Sequence, residues 1–95
     1  MGGSMSNWVY TITSGKWLRD AIDSGDEQLT VKCLLRCYKE LYDKLTDEDK
    51  EWKGIDIEDN IETLKCGGLD DEDDINDALD EFYAICDDLR AWITL

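Results

Sequence analysis

The chain contains no histidine and no proline. Without histidine, neither a Ser–His nor a Cys–His pair is available for nucleophilic catalysis. Its carboxylates fall on polar helix faces rather than in an apolar pocket that would separate the pKa values of a catalytic pair. Without proline, no helix interior is interrupted by a residue that lacks a backbone N–H. The sequence therefore predicts a helical protein that is not an enzyme.

Long apolar runs are also missing. No stretch approaches the roughly 18 consecutive apolar residues of a membrane span, and no basic segment precedes an apolar one as in a signal peptide. We therefore expect a cytoplasmic protein without membrane contact, whose four cysteines are reduced.

The cysteines are Cys33, Cys37, Cys66 and Cys86. Four thiolates can hold zinc tetrahedrally, but structural zinc sites use closely spaced cysteine pairs in loops, and the sequence has no such pair. Free cysteine is among the most buried residue types. We therefore expect four reduced core thiols, no metal and no cofactor.

The sequence is interpreted as one domain that follows a short N-terminal expression scar. Residues 1–4 (Met-Gly-Gly-Ser), which precede a second methionine, are interpreted as an expression scar. Residues 5–95 are interpreted as a single helical domain because their number suits one core. The hydrophobic fraction of 42% is sufficient for folding despite the high charge.

Apolar residues recur at intervals of three and four along most of the chain, which predicts an all-α fold, a compact bundle of about four helices. The expected helices are 14–23, 26–45, 57–65 and 70–93. Residues 46–53 are expected to form a connector with a possible extra helical turn, which Gly54 would end. Asp26 and Thr46 are suited to capping the helices that follow them. Residues 7–13 alternate large and smaller side chains, which predicts a short extended N-terminal arm packed on the helices, or the front of the first helix.

Positive charge is scarce, with 10 basic against 24 acidic residues and a net charge of −14. The imbalance is uneven. Residues 1–53 hold 10 acids and 8 bases, whereas residues 54–95 hold 14 acids and 2 bases, a net of −12. Such a charge opposes direct binding to a nucleic-acid backbone and favours a basic partner.

The predicted last helix concentrates this charge on the side away from its apolar stripe. The candidate partner-binding residues are Asp70, Asp73, Asp74, Asp77, Asp80, Glu81, Asp87 and Asp88. Neighbours three and four apart lie about 5–6 Å from each other, a pitch close to that of successive phosphates on a nucleic-acid strand. The alternative is an ordinary solvated face. A calcium loop is disfavoured because Ile75 occupies the position of its turn glycine.

A 95-residue chain with a net charge of −14 and the run Asp70-Asp71-Glu72-Asp73-Asp74 resembles small acidic phage-type inhibitors, of the DNA-mimic and anti-CRISPR kind. The resemblance implies that the partner is a basic nucleic-acid-binding protein, such as a nuclease or a defence effector. It also implies that the chain inhibits this partner stoichiometrically by occupying its nucleic-acid site.

The aromatic residues suggest a second function. The residues that fit core roles are Trp17, Trp52, Trp92, Tyr38 and Phe82. Trp8 and Tyr10, on the N-terminal arm, are candidates for a partner-binding or self-association patch. On this alternative the chain is a small protein–protein adaptor or regulatory subunit, with a homodimer as one form.

Overall fold

The computed structural model describes residues 8–67, 69 and 71–93. The elements in chain order are β1 (Tyr10–Ile12), α1 (Gly15–Ser24), α2 (Glu27–Lys44), α3 (Asp47–Lys65), α4 (Glu72–Leu89) and β2 (Ala91–Ile93). The predicted all-α bundle of four helices is confirmed. The predicted N-terminal arm begins outside the described residues, of which Tyr10–Ile12 form β1.

Side chains and one glycine set the helix boundaries. Asp26 caps α2, because its Oδ1 accepts a hydrogen bond from the Leu29 backbone N–H at 3.1 Å. Thr46 caps α3 in the same way, accepting from the Asp49 N–H at 3.2 Å. Gly25 ends α1 at a φ of 76°, a left-handed conformation that costs glycine little. Both predicted caps are confirmed.

The predicted connector at 46–53 is wrong, since α3 runs without interruption from Asp47 to Lys65. Glycine in a helix interior costs up to about 1 kcal/mol, which made Gly54 a predicted break. In the structure Gly54 is buried, and a Cβ there would lie 3.7 Å from the Tyr42 ring. Tertiary packing on α2 therefore outweighs the local preference, and three acids in the first turn of α3 suit the helix dipole.

The predicted end of the last helix is also wrong. Helix α4 ends at Leu89, and Arg90 turns the chain at φ 58° and ψ 47°. Strand β2 then pairs in parallel with β1, with Tyr10 opposite Ala91 and Ile12 opposite Ile93. The apolar residues after Arg90 continue the helical pattern by coincidence, and a three-residue strand carries no periodicity of its own to oppose it. The partner of the extended arm is thus the other end of the chain.

The core lies where α2, α4 and β1 meet. Its largest fully buried side chains are Tyr38, Phe82, Ile12, Leu18, Leu34, Leu41 and Ile57. Tyr38 and Phe82 pack edge to face with ring centroids 4.6 Å apart, an arrangement that aromatic rings prefer. Within the described part of the chain, the Tyr38 hydroxyl is the only fully buried side-chain polar atom without a hydrogen-bond partner.

Three tryptophans predicted to be core residues are instead at the surface. Trp17 is 42%, Trp52 58% and Trp92 44% exposed. The core positions beside them are filled by smaller aliphatic side chains, and tryptophan is seldom fully buried because of its size. Trp17 instead lies between two cations, Lys16 at 4.6 Å and Arg36 at 4.7 Å from its ring.

Glu40 of α2 holds the turn between β1 and α1. Its carboxylate accepts hydrogen bonds from the backbone N–H groups of Thr13 and Ser14, both at 2.9 Å, and from Lys44 Nζ at 2.8 Å. Partial burial would raise the Glu40 pKa, but these hydrogen bonds outweigh it and hold the pKa at about 2. Lys44 Nζ also donates to the Thr11 carbonyl. This cluster therefore fixes β1 against α2.

The cysteine prediction is half right. Cys37 and Cys86 are buried, and burial raises the pKa of each thiol to about 12. Cys33 is half-buried and Cys66 is exposed. Cys66 follows the last turn of α3, outside the apolar side of that helix, and so has no core position to occupy.

Candidate acidic interface

Helix α4 separates its residues sharply between core and solvent. The buried stripe comprises Ile75, Leu79, Phe82, Ile85, Cys86 and Leu89. Seven of the eight predicted interface acids lie in the described residues, and all seven are exposed: Asp73, Asp74, Asp77, Asp80, Glu81, Asp87 and Asp88. The eighth, Asp70, lies outside the described residues. We call the seven described acids the acidic face.

One edge of the acidic face borders α3. Asp74, Asp77 and Glu81 line an open groove of about 260 Å³ between the two helices. The α3 side of this groove is formed by Asn60, Thr63 and Leu64, and Leu69 and Ala78 add apolar surface. The three acids follow one another at spacings of three and four, so their Cβ atoms lie about 5–6 Å apart. The edge is therefore a row of three carboxylates beside a groove of mixed polar and apolar lining.

The other edge is a more widely spaced row. Asp73, Asp80 and Asp87 are seven residues apart, which places them nearly in line and about 10.5 Å from each other along the helix axis. Ala84 is exposed between the last two and interrupts both rows. Helical geometry alone would have shown this division of the acidic face into two edges.

Asp77 is the centre of the acidic face. All four positions three and four residues away from it are acids: Asp73, Asp74, Asp80 and Glu81. Like charges at these spacings repel each other by about 0.2–0.5 kcal/mol per pair. The negative potential is therefore greatest around Asp77, and so is the repulsion between neighbouring carboxylates.

Only the C-terminal end of the acidic face is neutralised by a nearby cation. Lys53 of α3 places its Nζ 3.0 Å from Asp88, and among the described residues this is the single ion pair made by the seven acids. Lys53 Nζ also lies 5.0 Å from the centre of the Trp52 ring. Sequence reasoning missed this pair because Lys53 is on another helix, within the segment predicted as a connector.

The other cations with recorded contacts are used away from α4. They contact side chains of α1 and α2 or the backbone of β1: Lys16 and Arg36 with Trp17, Arg19 with Asp23, Lys44 with Glu40 and Thr11, and Lys50 with Tyr42. The fold thus reproduces in space the separation of charge seen along the chain. Among the described residues, no Lys or Arg forms an ion pair with the central acids of the acidic face.

The aromatic patch at the N-terminal arm, predicted to consist of Trp8 and Tyr10, consists of Trp8 and Trp92 in the structure. Tyr10 is buried, and its hydroxyl donates to Asp49 and accepts from the Thr46 backbone N–H. Tyr10 is therefore a core residue and not available to a partner, which corrects the prediction. Trp8 packs edge to face on Trp92 instead, with ring centroids 5.2 Å apart.

Within the described residues, no group of three or more cysteine, aspartate or glutamate side chains is placed to hold a metal ion together. No helix in that part of the chain is long and apolar enough to cross a bilayer. Comparison with protein-family models, with curated proteins and with solved structures finds no match.

Proposed function

We propose that the protein binds, through the acidic face of α4, a basic surface on a partner that normally holds nucleic acid, and that it inhibits this partner by occupying the surface. The partner class is a basic nucleic-acid-binding protein such as a nuclease or defence effector. The observation that carries the proposal is the set of exposed acids from Asp73 to Glu81, which lie on one helix side and form no ion pair within the described residues.

The spacing of the row suits this role. Lysines and arginines that hold a phosphate backbone meet one negative charge per nucleotide. Carboxylates about 5–6 Å apart present charge at a similar pitch. The row is fixed on a helix, so the carboxylates are arranged before the partner arrives and little order has to be gained on binding.

The energetic cost of the row also supports a binding role. A helix face exposed only to water is stabilised when acids and bases alternate. Here the central acids repel one another, whereas Arg36, Lys44 and Arg19 contact side chains of α1 and α2. A basic partner would relieve the repulsion, so that part of the cost in the free protein becomes affinity in the complex.

The test compares two triple variants with the same net charge. In one, Asp73, Asp77 and Asp80 are replaced by Asn. In the other, Asp20 and Asp43 are replaced by Asn and Glu27 by Gln, three exposed acids of α1 and α2 that form no ion pair within the described residues. Asp88 is left in place because its pair with Lys53 contributes to packing. Partners captured from a cell extract on the parent protein are eluted with increasing salt, purified and titrated with both variants.

The α4 triple variant should lose binding while the control variant keeps it. Affinity for the purified partner should fall steeply with salt, and DNA or RNA should compete directly. Equal affinity of the α4 variant and the parent, or simultaneous binding of nucleic acid and the protein, would refute the proposal.

A second candidate function is favoured by the Trp8–Trp92 pair. Val9, which follows Trp8 in the chain, is 61% exposed, and Trp92 is 44% exposed. An apolar patch at this end of the molecule would suit an adaptor or a homodimer. Binding through it should be nearly insensitive to salt, and Trp92→Ala should weaken it more than the α4 triple variant does. Sedimentation of the parent and of Trp92→Ala tests the homodimer directly.

A further inference from the structure

Helix α3 exposes an apolar pair on its outer side. Trp52 is 58% exposed and Ile55 is 69% exposed, and a spacing of three places them next to each other on the helix surface. The buried side of the same helix is formed by Ile57 and Leu64. Helix α3 is therefore apolar on two sides, of which only one is covered by the fold.

Acids surround this apolar pair. Glu48 lies four residues before Trp52 and Asp59 four residues after Ile55, and both are exposed. Residues at these spacings are neighbours on the helix surface. The surface that would cover the pair must therefore be apolar in its middle and positively charged at its rim.

The pair is also continuous with the acidic face of α4. Lys53, next to Trp52, has its Nζ 5.0 Å from the Trp52 ring and 3.0 Å from the Asp88 carboxylate. One cation thus bridges the indole and the last acid of the face. A partner that covers the C-terminal end of the acidic face therefore also reaches the edge of the apolar pair.

We propose that Trp52 and Ile55 are the apolar anchor of the interface, and that the partner is a protein whose basic groove contains an aromatic or apolar platform. This inference rests on the proposed function and narrows the partner class. Proteins that bind single-stranded nucleic acid combine a positively charged groove with aromatic side chains on which bases stack. An indole next to the C-terminal end of the acidic face presents a similar combination, a flat ring near negative charge, with Lys53 between the ring and Asp88.

A partner whose groove contacts only the phosphates of a duplex has no apolar platform for Trp52 and Ile55 to contact. Duplex binding of that kind depends on cations and on the deformability of the DNA. The apolar pair of α3 thus distinguishes the two kinds of basic partner. A second copy of this chain is the other occupant to be tested.

The experiment uses two synthetic peptides of equal length and charge, one alternating Arg and Trp and the other alternating Arg and Ala. Each carries a fluorescent label, and its affinity for the full chain is measured by anisotropy at low and high salt. The parent should prefer the Arg–Trp peptide by about tenfold, the effect of stacking one aromatic ring. The preference should persist at high salt because apolar contact is not screened.

Trp52→Ala should reduce this preference to less than about threefold and leave affinity for the Arg–Ala peptide unchanged. Trp52→Phe should restore most of it. The matched control is Trp17→Ala, which removes an exposed tryptophan that lies between cations and should have no effect. Circular dichroism confirms that each variant is folded.

Three results would overturn the inference: no preference in the parent, the same preference in Trp52→Ala, or a parent dimer in sedimentation that Trp52→Ala disperses. The α4 triple variant keeps this test separate from that of the proposed function. If it binds both peptides as tightly as the parent does, the acidic face is not the interface, whatever Trp52 contributes.

Discussion

Replacing Asp77 with Asn should stabilise the free protein and weaken its binding to a basic partner. Asp77 has four acidic neighbours at helical spacings of three and four. At about 0.2–0.5 kcal/mol for each like-charged pair, removing its charge should raise the free energy of unfolding by about 1–2 kcal/mol at low salt. Asn keeps the size and polarity of the side chain, so packing should not change. The same substitution removes the centre of the acidic face.

The measurement is urea unfolding followed by circular dichroism at pH 7, in about 20 mM and about 500 mM salt. Asp87→Asn is the matched control, because it removes the same charge from the same helix but has no acid three or four residues away. The stabilisation by Asp77→Asn should shrink at high salt, where surface charges are screened.

Two outcomes would contradict the expected role of Asp77. If Asp87→Asn and Asp77→Asn have equal effects on stability, like-charge repulsion is not concentrated at the centre of the acidic face. If Asp77→Asn stabilises the protein but leaves partner affinity intact, the repulsion is real and the face is merely solvated. Only stabilisation together with weaker binding supports the proposed function.

Three further substitutions test the fold. Glu40→Gln should cost about 2 kcal/mol at neutral pH in urea unfolding, since the Glu40 pKa is lowered to about 2 from about 4.5. That contribution is fully present above pH 4.5 and is lost as the pH falls towards 2, so an equal deficit at pH 2 would contradict it. Tyr38→Phe should stabilise by about 1 kcal/mol in thermal unfolding, because it removes an unpartnered hydroxyl; a lower melting temperature would reveal a missed partner. Gly54→Ala should stabilise by about 0.5–1 kcal/mol, because its Cβ would meet Tyr42 and Lys50 at ordinary contact distances; destabilisation would show that α3 and α2 pack more closely.

Elements whose signals are local were predicted well from the sequence. The caps at Asp26 and Thr46 and the apolar stripe of α4 depend on residues within one or two turns of each other. The elements that were missed depend on distant contacts. Helix α3 passes through Gly54 because α2 packs against it, and β2 forms because β1 lies beside it. No periodicity in the chain encodes either contact.

The candidate site was predictable to the same extent. The acids of α4 and their exposure follow from one helical period, and they lie on the side expected. The ion pair between Lys53 and Asp88 and the position of Trp52 beside it follow only from the packing of α3 on α4. Trp52 was predicted to be buried because the tryptophan side chain has a large apolar surface. The sequence pattern alone does not show which side of a helix the fold leaves exposed.

The two interpretations of the acidic face differ in what they expect at Ala84. This exposed residue lies four after Asp80, three after Glu81 and four before Asp88, so a lysine there would meet acids on both sides. Ala84→Lys should therefore stabilise the free protein by about 0.5–1 kcal/mol, mostly through the pairs with the acid N-terminal to the lysine. A face that is only solvated would gain from this cation without any loss of function. A face that replaces a phosphate backbone would lose affinity, because the lysine would stand against the partner's own cations. Titration of the purified partner with Ala84→Lys and with Ala84→Gln, which adds bulk without charge, separates the two. Equal affinity of both variants would leave the acidic face as a solvated surface.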